Sequence, residues 1–262
     1  MRHAVVLGVS LLALAGVPAM AADIPVKAPR VAPVMAPPVY NWSGFYIGGN
    51  VGGGWSRAEY LNTANTTFFG DVGGPPGFSH NMSGFVGGGQ IGYNWQAGSF
   101  VFGVEAMFDW ADIKGTTNPL RGGAPPLGQD DNFETRIQSL FLGTARIGYA
   151  WNNVLVYAKG GYAAGEVKVS VADVVGVNQG AGSGSSWRAG WTVGGGLEYG
   201  ITPNWTMALE YDFVRLNGTA YELAGAAAPL VYTFAHRARD THLVTGRLNY
   251  KFDWGAPLVA RY

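Results

Sequence analysis

The sequence predicts an all-β fold, an eight-stranded antiparallel up-and-down transmembrane β-barrel that follows an N-terminal signal peptide and a Pro-rich linker. Three observations predict it: apolar and polar residues alternate in eight segments, long and short connections alternate between them, and tryptophans gather at the segment ends. Alternation with a period of two is typical of a strand with one apolar and one polar face. Only 13% of the 262 residues are charged, against about 25% in typical soluble domains.

The eight alternating segments all follow residue 42. Each is close to the roughly 9–11 residues that a tilted strand needs to cross a bilayer. The predicted strands are Phe45–Ser56, Phe85–Trp95, Phe100–Trp110, Ser139–Trp151, Val154–Ala164, Trp187–Tyr199, Trp205–Phe213 and His242–Phe252.

The connections between the predicted strands differ in length on the two sides of the barrel. Residues 96–99, 152–153 and 200–204 make short turns. The other connections are long, at about 57–84, 111–138, 165–186 and 214–241. An even number of strands with short periplasmic turns and long surface loops is the pattern of bacterial outer-membrane barrels.

Tryptophans mark both ends of the predicted strands. Trp55, Trp110 and Trp187 fall at the ends that precede or follow long connections, and five others fall at the opposite, periplasmic ends: Trp42, Trp95, Trp151, Trp205 and Trp254. Tryptophan prefers the interface between lipid and water. We therefore expect two aromatic belts, one at each membrane surface.

The first residues indicate export. Arg2 and His3 precede the apolar run Ala4–Val17, which is too short to span a bilayer as a helix, and Ala19-Met20-Ala21 follows as a cleavage pattern. We predict a signal peptide over residues 1–21. Residues 22–41 contain five prolines and are predicted to be an extended periplasmic linker. The barrel domain is predicted over residues 42–262.

The inward faces of the predicted strands carry the charges. In a closed barrel the apolar face of each strand meets lipid and the other face meets the lumen. Eight strands enclose a space that side chains fill, and isolated charges there would be costly, so pairing is expected. Inward glycines such as Gly48, Gly52, Gly88 and Gly92 are expected to leave room for arginine and lysine. The predicted lumen ion network, which closes the barrel to flow, contains Glu105, Asp109, Arg146, Lys159, Arg188, Glu198, Glu210, Asp212, Arg247 and Lys251.

Composition argues against several other classes of function. The 17 basic and 17 acidic side chains balance, which gives no basic footprint for nucleic acid. Cysteine is absent, so thiol chemistry and thiolate metal sites are excluded. Glu105 and Asp109 have the strand spacing of a carboxylate pair, but a filled lumen offers no substrate cleft. We expect no enzyme activity and no cofactor.

Histidines leave one alternative open. His80 and His236 fall in predicted loops, and His242 is the first residue of the eighth predicted strand. Ser79-His80 or Asp240-Thr241-His242 resemble parts of a hydrolytic site. Sequence cannot show that such groups converge. Two of the histidines could instead act as axial ligands of haem iron in a haem-binding surface protein. A small-solute porin is the other alternative to a structural barrel.

Three stretches resemble a known family. They are NWSGFYIGGNVGGGW (41–55), GFVGGGQIGYNWQ (84–96) and LNYKFDWGAPLVARY (248–262). These stretches are similar to the small outer-membrane β-barrel proteins of alphaproteobacteria, often labelled porin family. That family includes major surface proteins of Brucella and rhizobia and the hemin-binding proteins of Bartonella.

The resemblance implies a Gram-negative outer-membrane location among lipid and lipopolysaccharide, and a contribution to envelope integrity. It also implies insertion by the barrel-assembly machinery, with Phe252 or Tyr262 as the aromatic assembly signal. Some relatives begin Ala-Asp and are joined to peptidoglycan through the Asp, so Asp23 is a candidate attachment point. The long loops are expected to be displayed as surface antigens.

Overall fold

The computed structural model describes residues 40–62, 77–117, 132–172, 181–224, 231–236 and 239–252. The chain divides into the units Met1–Pro38 and Val39–Tyr262, and the described residues belong to the second. The predicted signal peptide, Asp23, most of the linker, Trp254 and Tyr262 lie outside the described residues. Within the described residues, no helix is long and apolar enough to cross a membrane.

The described chain forms antiparallel strands that close into a ring. The strands are β1 (Gly44–Asn62), β2 (Gly77–Ala97), β3 (Phe100–Thr117), β4 (Asn132–Trp151), β5 (Val154–Ala172), β6 (Ala181–Gly200), β7 (Trp205–Leu216), β8 (Thr219–Ala224), β9 (Val231–His236) and β10 (Arg239–Lys251). β1 to β7 pair in chain order, and β10 pairs with both β7 and β1. The predicted eight-stranded up-and-down barrel is therefore confirmed, with β10 as its eighth strand.

A short hairpin, which lies between β7 and β10 in the chain, extends the wall beside β1. β8 pairs with β9, and β9 continues the wall through three residue pairs with the last residues of β1, from Tyr60 to Asn62. This hairpin lies in a connection that the sequence predicts to be a loop.

One end of the barrel, here called the turn end, carries the short connections. Gly98 and Asn152 lie in two of these turns with φ of 62° and 54°, values that glycine and asparagine tolerate best. The third connection runs from Gly200 to Trp205. The opposite end, here called the loop end, carries the longer connections. The predicted alternation of connection lengths is confirmed.

The strands are longer than the sequence predicts. β1 to β6 each contain 18 to 21 residues, about twice the length that crosses a bilayer. The added residues are at the loop end, so much of the predicted loops 57–84, 111–138 and 165–186 is strand. The sequence does not predict this extension, because outward charges such as Lys114 and Arg136 interrupt the alternation of apolar and polar residues there.

Because side chains alternate along each strand, the outer face of the wall is apolar and exposed, and the inner face is buried and carries charges. Along β3, Phe102, Val104 and Phe108 are exposed on the outside, whereas Glu105 and Asp109 between them are buried inside. In the closed ring every spanning strand has hydrogen-bonded neighbours on both sides, which a structure in lipid requires. The wall thus separates an apolar exterior from an interior that holds carboxylates.

A β-bulge changes which residues of β4 face inward. The pairing with β5 shifts between Ile137 and Ser139, and the pairing with β3 shifts between Trp110 and Ile113. As a result Ser139 and Leu140 are both buried although they are adjacent. The bulge brings the odd-numbered residues of β4 inside at the loop end and the even-numbered residues inside below it.

Candidate functional site

The centre of the lumen is built around the carboxylate of Glu105 on β3. It accepts hydrogen bonds from Arg247 on β10 and from the hydroxyl of Tyr46 on β1, the latter at 2.7 Å. The ammonium nitrogen of Lys159 is 3.5 Å away and the guanidinium of Arg146 is 4.0 Å away. Four of the ring's strands other than β3 therefore supply partners to this one buried carboxylate.

Glu210 on β7 is the second shared carboxylate. It accepts hydrogen bonds from Arg247, from Lys159 at 2.7 Å and from the hydroxyl of Tyr157 at 2.5 Å. Lys159 also lies 3.2 Å from Asp212, the next inward residue of β7. Arg247 and Lys159 therefore each bind both Glu105 and Glu210.

Arg146 on β4 lies between two tyrosine rings. Its guanidinium carbon is 4.8 Å from the ring centre of Tyr46 and 5.1 Å from that of Tyr157. It also pairs with Glu198 at 3.3 Å and donates to Asn94 at 2.9 Å. A desolvated cation between aromatic faces is stabilised by both rings in addition to its ion pair.

Amide side chains extend the polar layer around the wall. Asn50 donates to Asp109 at 2.8 Å and to Gln90 at 3.0 Å. Gln90 donates to Asn249 at 2.8 Å, and Asn249 donates to Glu198 at 3.0 Å. Asp109 thus joins the polar layer through an amide, and Glu198 connects the amides to the ion pairs.

Connected ion pairs hold most of the predicted lumen charges together. Among the described residues, the connected set is Glu105, Glu198, Glu210, Asp212, Arg146, Lys159 and Arg247. All of these side chains are almost fully buried. A buried charge is tolerated when it is paired and hydrogen-bonded, so each member depends on the others.

Arg188 and Lys251 are also buried but lie away from this set. Arg188 faces Gly165 on β5, toward the loop end. Lys251 lies at the turn end, where it donates to the main-chain oxygen of Asn41 and lies 5.0 Å from the ring centre of Tyr40. The ten predicted lumen residues are therefore all inside the barrel, at three different heights.

Two tyrosines of the layer each lie against a glycine on the next strand. Tyr46 is paired with Gly92, and Tyr157 is paired with Gly196. A Cβ at Gly92 would lie 2.3 Å from the Tyr46 hydroxyl, and one at Gly196 would lie 2.8 Å from the Tyr157 hydroxyl. Because neither glycine has a Cβ, the two tyrosine hydroxyls have room to reach Glu105 and Glu210.

The expected role of the four inward glycines named from the sequence is wrong. Gly48, Gly52, Gly88 and Gly92 are not spaces for lysine or arginine. A Cβ at Gly52 would lie 2.0 Å from the main-chain oxygen of Val244, and one at Gly88 would lie 2.0 Å from that of Phe108. At Gly48, Gly52 and Gly88 the main chain of the neighbouring strand occupies the space, so these three glycines permit close approach of main chains, whereas the space at Gly92 is taken by Tyr46.

The segment before β1 occupies the turn end of the lumen. Trp42 is only 2% exposed and packs with Val101 and Leu155, and its indole nitrogen donates to the main-chain oxygen of Asn152 at 3.0 Å. Tyr40 packs against this cluster. The prediction that Trp42 belongs to the interfacial belt is wrong, because it lies before the first strand and turns inward.

Other tryptophans lie on the outer wall as the sequence predicts. Trp95, Trp151 and Trp205 are exposed near the turn end, and Trp55, Trp110 and Trp187 are exposed toward the loop end. These positions are compatible with belts at the two membrane surfaces.

An apolar cluster fills the lumen toward the loop end. Alternation in the sequence does not predict it, because most of its residues lie in the strand extensions. The expected polar filling therefore occupies only part of the lumen. The cluster contains Ala58, Tyr60, Met82, Val86, Met107, Ala111, Ile113, Phe133, Ile137, Leu140, Leu142, Ala163, Val167, Val169, Val214, Leu216 and Leu243.

The three histidines lie in strands, so the predicted position of His80 and His236 in loops is wrong, whereas His242 lies in a strand as predicted. His80 on β2 is buried in the lumen and stacks on Tyr60, with ring centres 6.0 Å apart. His242 on β10 stacks on the exposed Trp55 of the outer wall at 5.5 Å. His236 lies on β9, and its side chain is outside the described residues.

His80 and His242 lie on opposite faces of the wall and cannot ligate one haem iron together. Of the residues that the structure describes, no three or more His, Asp or Glu side chains form a group arranged to hold a metal ion.

Sequence comparisons place this architecture among known proteins. Residues 9–252 match the family model described as the outer membrane protein beta-barrel domain. The 31 kDa outer-membrane immunogenic protein of Brucella melitensis is 33% identical over 262 aligned residues, which cover 93% of this chain and 97% of that protein. The 22 kDa outer membrane protein of Rhizobium leguminosarum is 33% identical, over 71% of this chain and 70% of its own length.

A solved structure has a similar fold. The outer membrane protease OmpT of Escherichia coli superposes with a TM-score of 0.50, over 80% of this chain and 97% of that chain. Its sequence is only 9% identical, so this likeness shows the fold alone.

Proposed function

Because this chain belongs to the outer membrane protein β-barrel family, we propose that it is a structural, non-enzymatic barrel with a lumen closed by its own side chains. In this role it stabilises the envelope and displays its long connections at the cell surface. The observation that carries the proposal is the pair of cations, Arg247 and Lys159, that bind Glu105 and Glu210 across the lumen.

Three successive layers support a closed lumen. The Trp42 cluster lies at the turn end, the ion pairs lie in the middle, and the apolar cluster lies toward the loop end. An eight-stranded barrel has room for side chains only, so each layer blocks the passage of solutes. This arrangement favours a structural role over a small-solute porin.

The surface role rests on the relatives. The Brucella melitensis and Brucella abortus proteins that this chain resembles are named outer-membrane immunogenic proteins. We infer that the long connections of this chain are likewise accessible to antibodies. Insertion by the barrel-assembly machinery, with Phe252 in its signal, belongs to the same proposal.

Attachment to the cell wall is a separate part of the proposal. Tyr40 and Asn41, the last linker residues, are held at the turn end of the barrel by contacts with Asn152 and Lys251. A covalent link from Asp23 to peptidoglycan would then transmit force to a fixed point on the barrel. Mass spectrometry of muropeptides tests this link, and an unmodified Asp23 in the mature protein would exclude it.

Deletion of the gene in its native host tests the structural role. We expect greater sensitivity to detergent and more leakage of periplasmic protein, both restored by the wild-type chain. A porin would give the opposite phenotype, which is slower uptake of small solutes with an intact barrier. Unchanged detergent sensitivity would contradict the proposal.

A further inference from the structure

Three cations stand side by side on the outer wall at the loop end. Lys114 on β3 is the cross-strand partner of Arg136 on β4, and Arg136 is the partner of Lys168 on β5. Directly opposed residues on neighbouring strands have Cβ atoms about 4.5–5.5 Å apart. Lys114, Arg136 and Lys168, here called the cation row, therefore present three positive groups to one small area.

The cation row faces away from the lumen. Its members alternate along their strands with Ile113, Ile137 and Val167, which are fully buried in the apolar cluster. The side chains of Lys114 and Arg136 are 55% and 39% exposed. The three positive groups are consequently accessible from outside the barrel.

The height of the cation row matches the headgroups of the membrane. Trp187, exposed on the outer wall, is paired with Glu166, and Lys168 lies two residues farther toward the loop end. Two residues of strand span about 7 Å. Because exposed tryptophans mark the membrane interface, the cation row lies just beyond the apolar layer.

Among the described residues, one acidic neighbour, Asp112, forms ion pairs with the cation row. Asp112 binds Arg136 at 2.8 Å and Lys114 at 3.4 Å, and Glu134 and Glu166 lie on adjacent rungs of β4 and β5. Lys168 makes no ion pair with any residue that the structure describes. Like charges opposite one another destabilise a sheet, so this row has a cost that an anionic ligand would remove.

We propose that the cation row binds the phosphate groups of a phosphorylated glycolipid, lipopolysaccharide, in the leaflet at the loop end. Arginine and lysine form charge-assisted hydrogen bonds with phosphate oxygens, and three cations in a row suit a headgroup with more than one phosphate. The acyl chains of the same lipid would lie against the apolar wall below. This site does not depend on the lumen being closed.

Binding of lipid A to the purified barrel in detergent micelles tests the site. The comparison uses diphosphorylated lipid A, dephosphorylated lipid A and phosphatidylglycerol, with the wild type and the Lys114→Gln/Arg136→Gln/Lys168→Gln variant. The control variant, Arg57→Gln/Arg215→Gln, removes exposed cations from β1 and β7, on the opposite wall.

We expect the wild type and the control to prefer diphosphorylated lipid A, and the triple variant to bind it about tenfold more weakly, the loss expected from a charge-assisted contact. Equal weakening in the control, or no preference for the phosphates, would overturn the site. Equal binding of phosphatidylglycerol would overturn the assignment to a glycolipid.

Heat-modifiable gel migration verifies that each variant is folded. Should the triple variant misfold, the single Lys168→Gln variant replaces it, because its cation contributes no ion pair to the described part of the wall. It must still weaken binding of diphosphorylated lipid A, and unchanged binding would overturn the site.

Discussion

Arg247 donates a hydrogen bond to Glu105 across the interior of the barrel, although the two residues are 142 positions apart in the chain. Their strands, β10 and β3, are separated in the ring by β1 and β2. The contact therefore joins parts of the wall that share no ladder hydrogen bonds. Arg247 also donates to Glu210, so one guanidinium ties three strands together.

Replacement of Arg247 by Ala should strongly destabilise the barrel. Glu105 and Glu210 would lose their shared partner, and breaking a buried ion pair from one side costs about 3–5 kcal/mol. Urea unfolding in lipid vesicles, followed by tryptophan emission, measures the loss. The control Arg215→Ala breaks an exposed pair with Asp240 and should change stability little. Similar losses in the two variants would show that Arg247 has no special role.

The contact between Gly92 and Tyr46 predicts the effect of a single methyl group. Gly92→Ala would place a Cβ 2.3 Å from the Tyr46 hydroxyl and displace that ring from Glu105. Overpacking of this kind costs about 1–3 kcal/mol of unfolding free energy. Gly89→Ala on the same strand is the matched control, since its Cβ would point outward with its nearest neighbour at 3.4 Å. Equal stability of the two variants would refute the proposed packing.

The apolar cluster predicts unequal costs for the same substitution on the two faces of the wall. Leu140 is fully buried at the bulge, whereas Leu209 is 61% exposed on the outer face. Leu140→Ala should leave a cavity and cost about 2–5 kcal/mol, as buried leucine truncations do. Leu209→Ala leaves no cavity and should cost less in the same urea titration. The reverse order would mean that the cluster does not stabilise the barrel.

The inward position of Trp42 predicts its behaviour toward lipid-borne quenchers. In vesicles of brominated lipid, emission from exposed Trp95 should be quenched, while that of buried Trp42 should persist. Trp42→Phe should therefore raise the quenched fraction of the total emission, and Trp95→Phe should lower it. If Trp42→Phe instead lowered that fraction, Trp42 would face the lipid.

The sequence predicted the ring because the segments that cross the lipid alternate without interruption. In β3, for example, Phe102 and Phe108 face out and Glu105 and Asp109 face in, with no break in the pattern. Along such a strand, whether a residue's number is odd or even fixes the face on which its side chain lies. For this reason all ten predicted lumen charges lie inside the barrel.

The remaining features depend on information that alternation does not carry. Trp42 precedes the first strand, so alternation does not determine the side to which it points. Its direction is set by contacts with the distant turn at Asn152. The bulge beside Ser139 exchanges the inward and outward positions within β4. Beyond the lipid the outer face becomes charged, as at Arg136, so the continuing strands resembled loops. A tyrosine opposite a glycine on the next predicted strand, as in Tyr46 and Gly92, is the one sequence feature that could have indicated the polar layer around Glu105.

Single-channel recording in planar bilayers tests the closed lumen most directly. With the Trp42 cluster, the ion pairs and the apolar cluster in place, the purified wild-type barrel should insert without sustained conductance. A protein-free bilayer and an inserted known porin provide the limits of the measurement. Steady openings whose conductance rises with salt concentration would contradict the account, because they require a continuous aqueous path past Glu105 and Arg247.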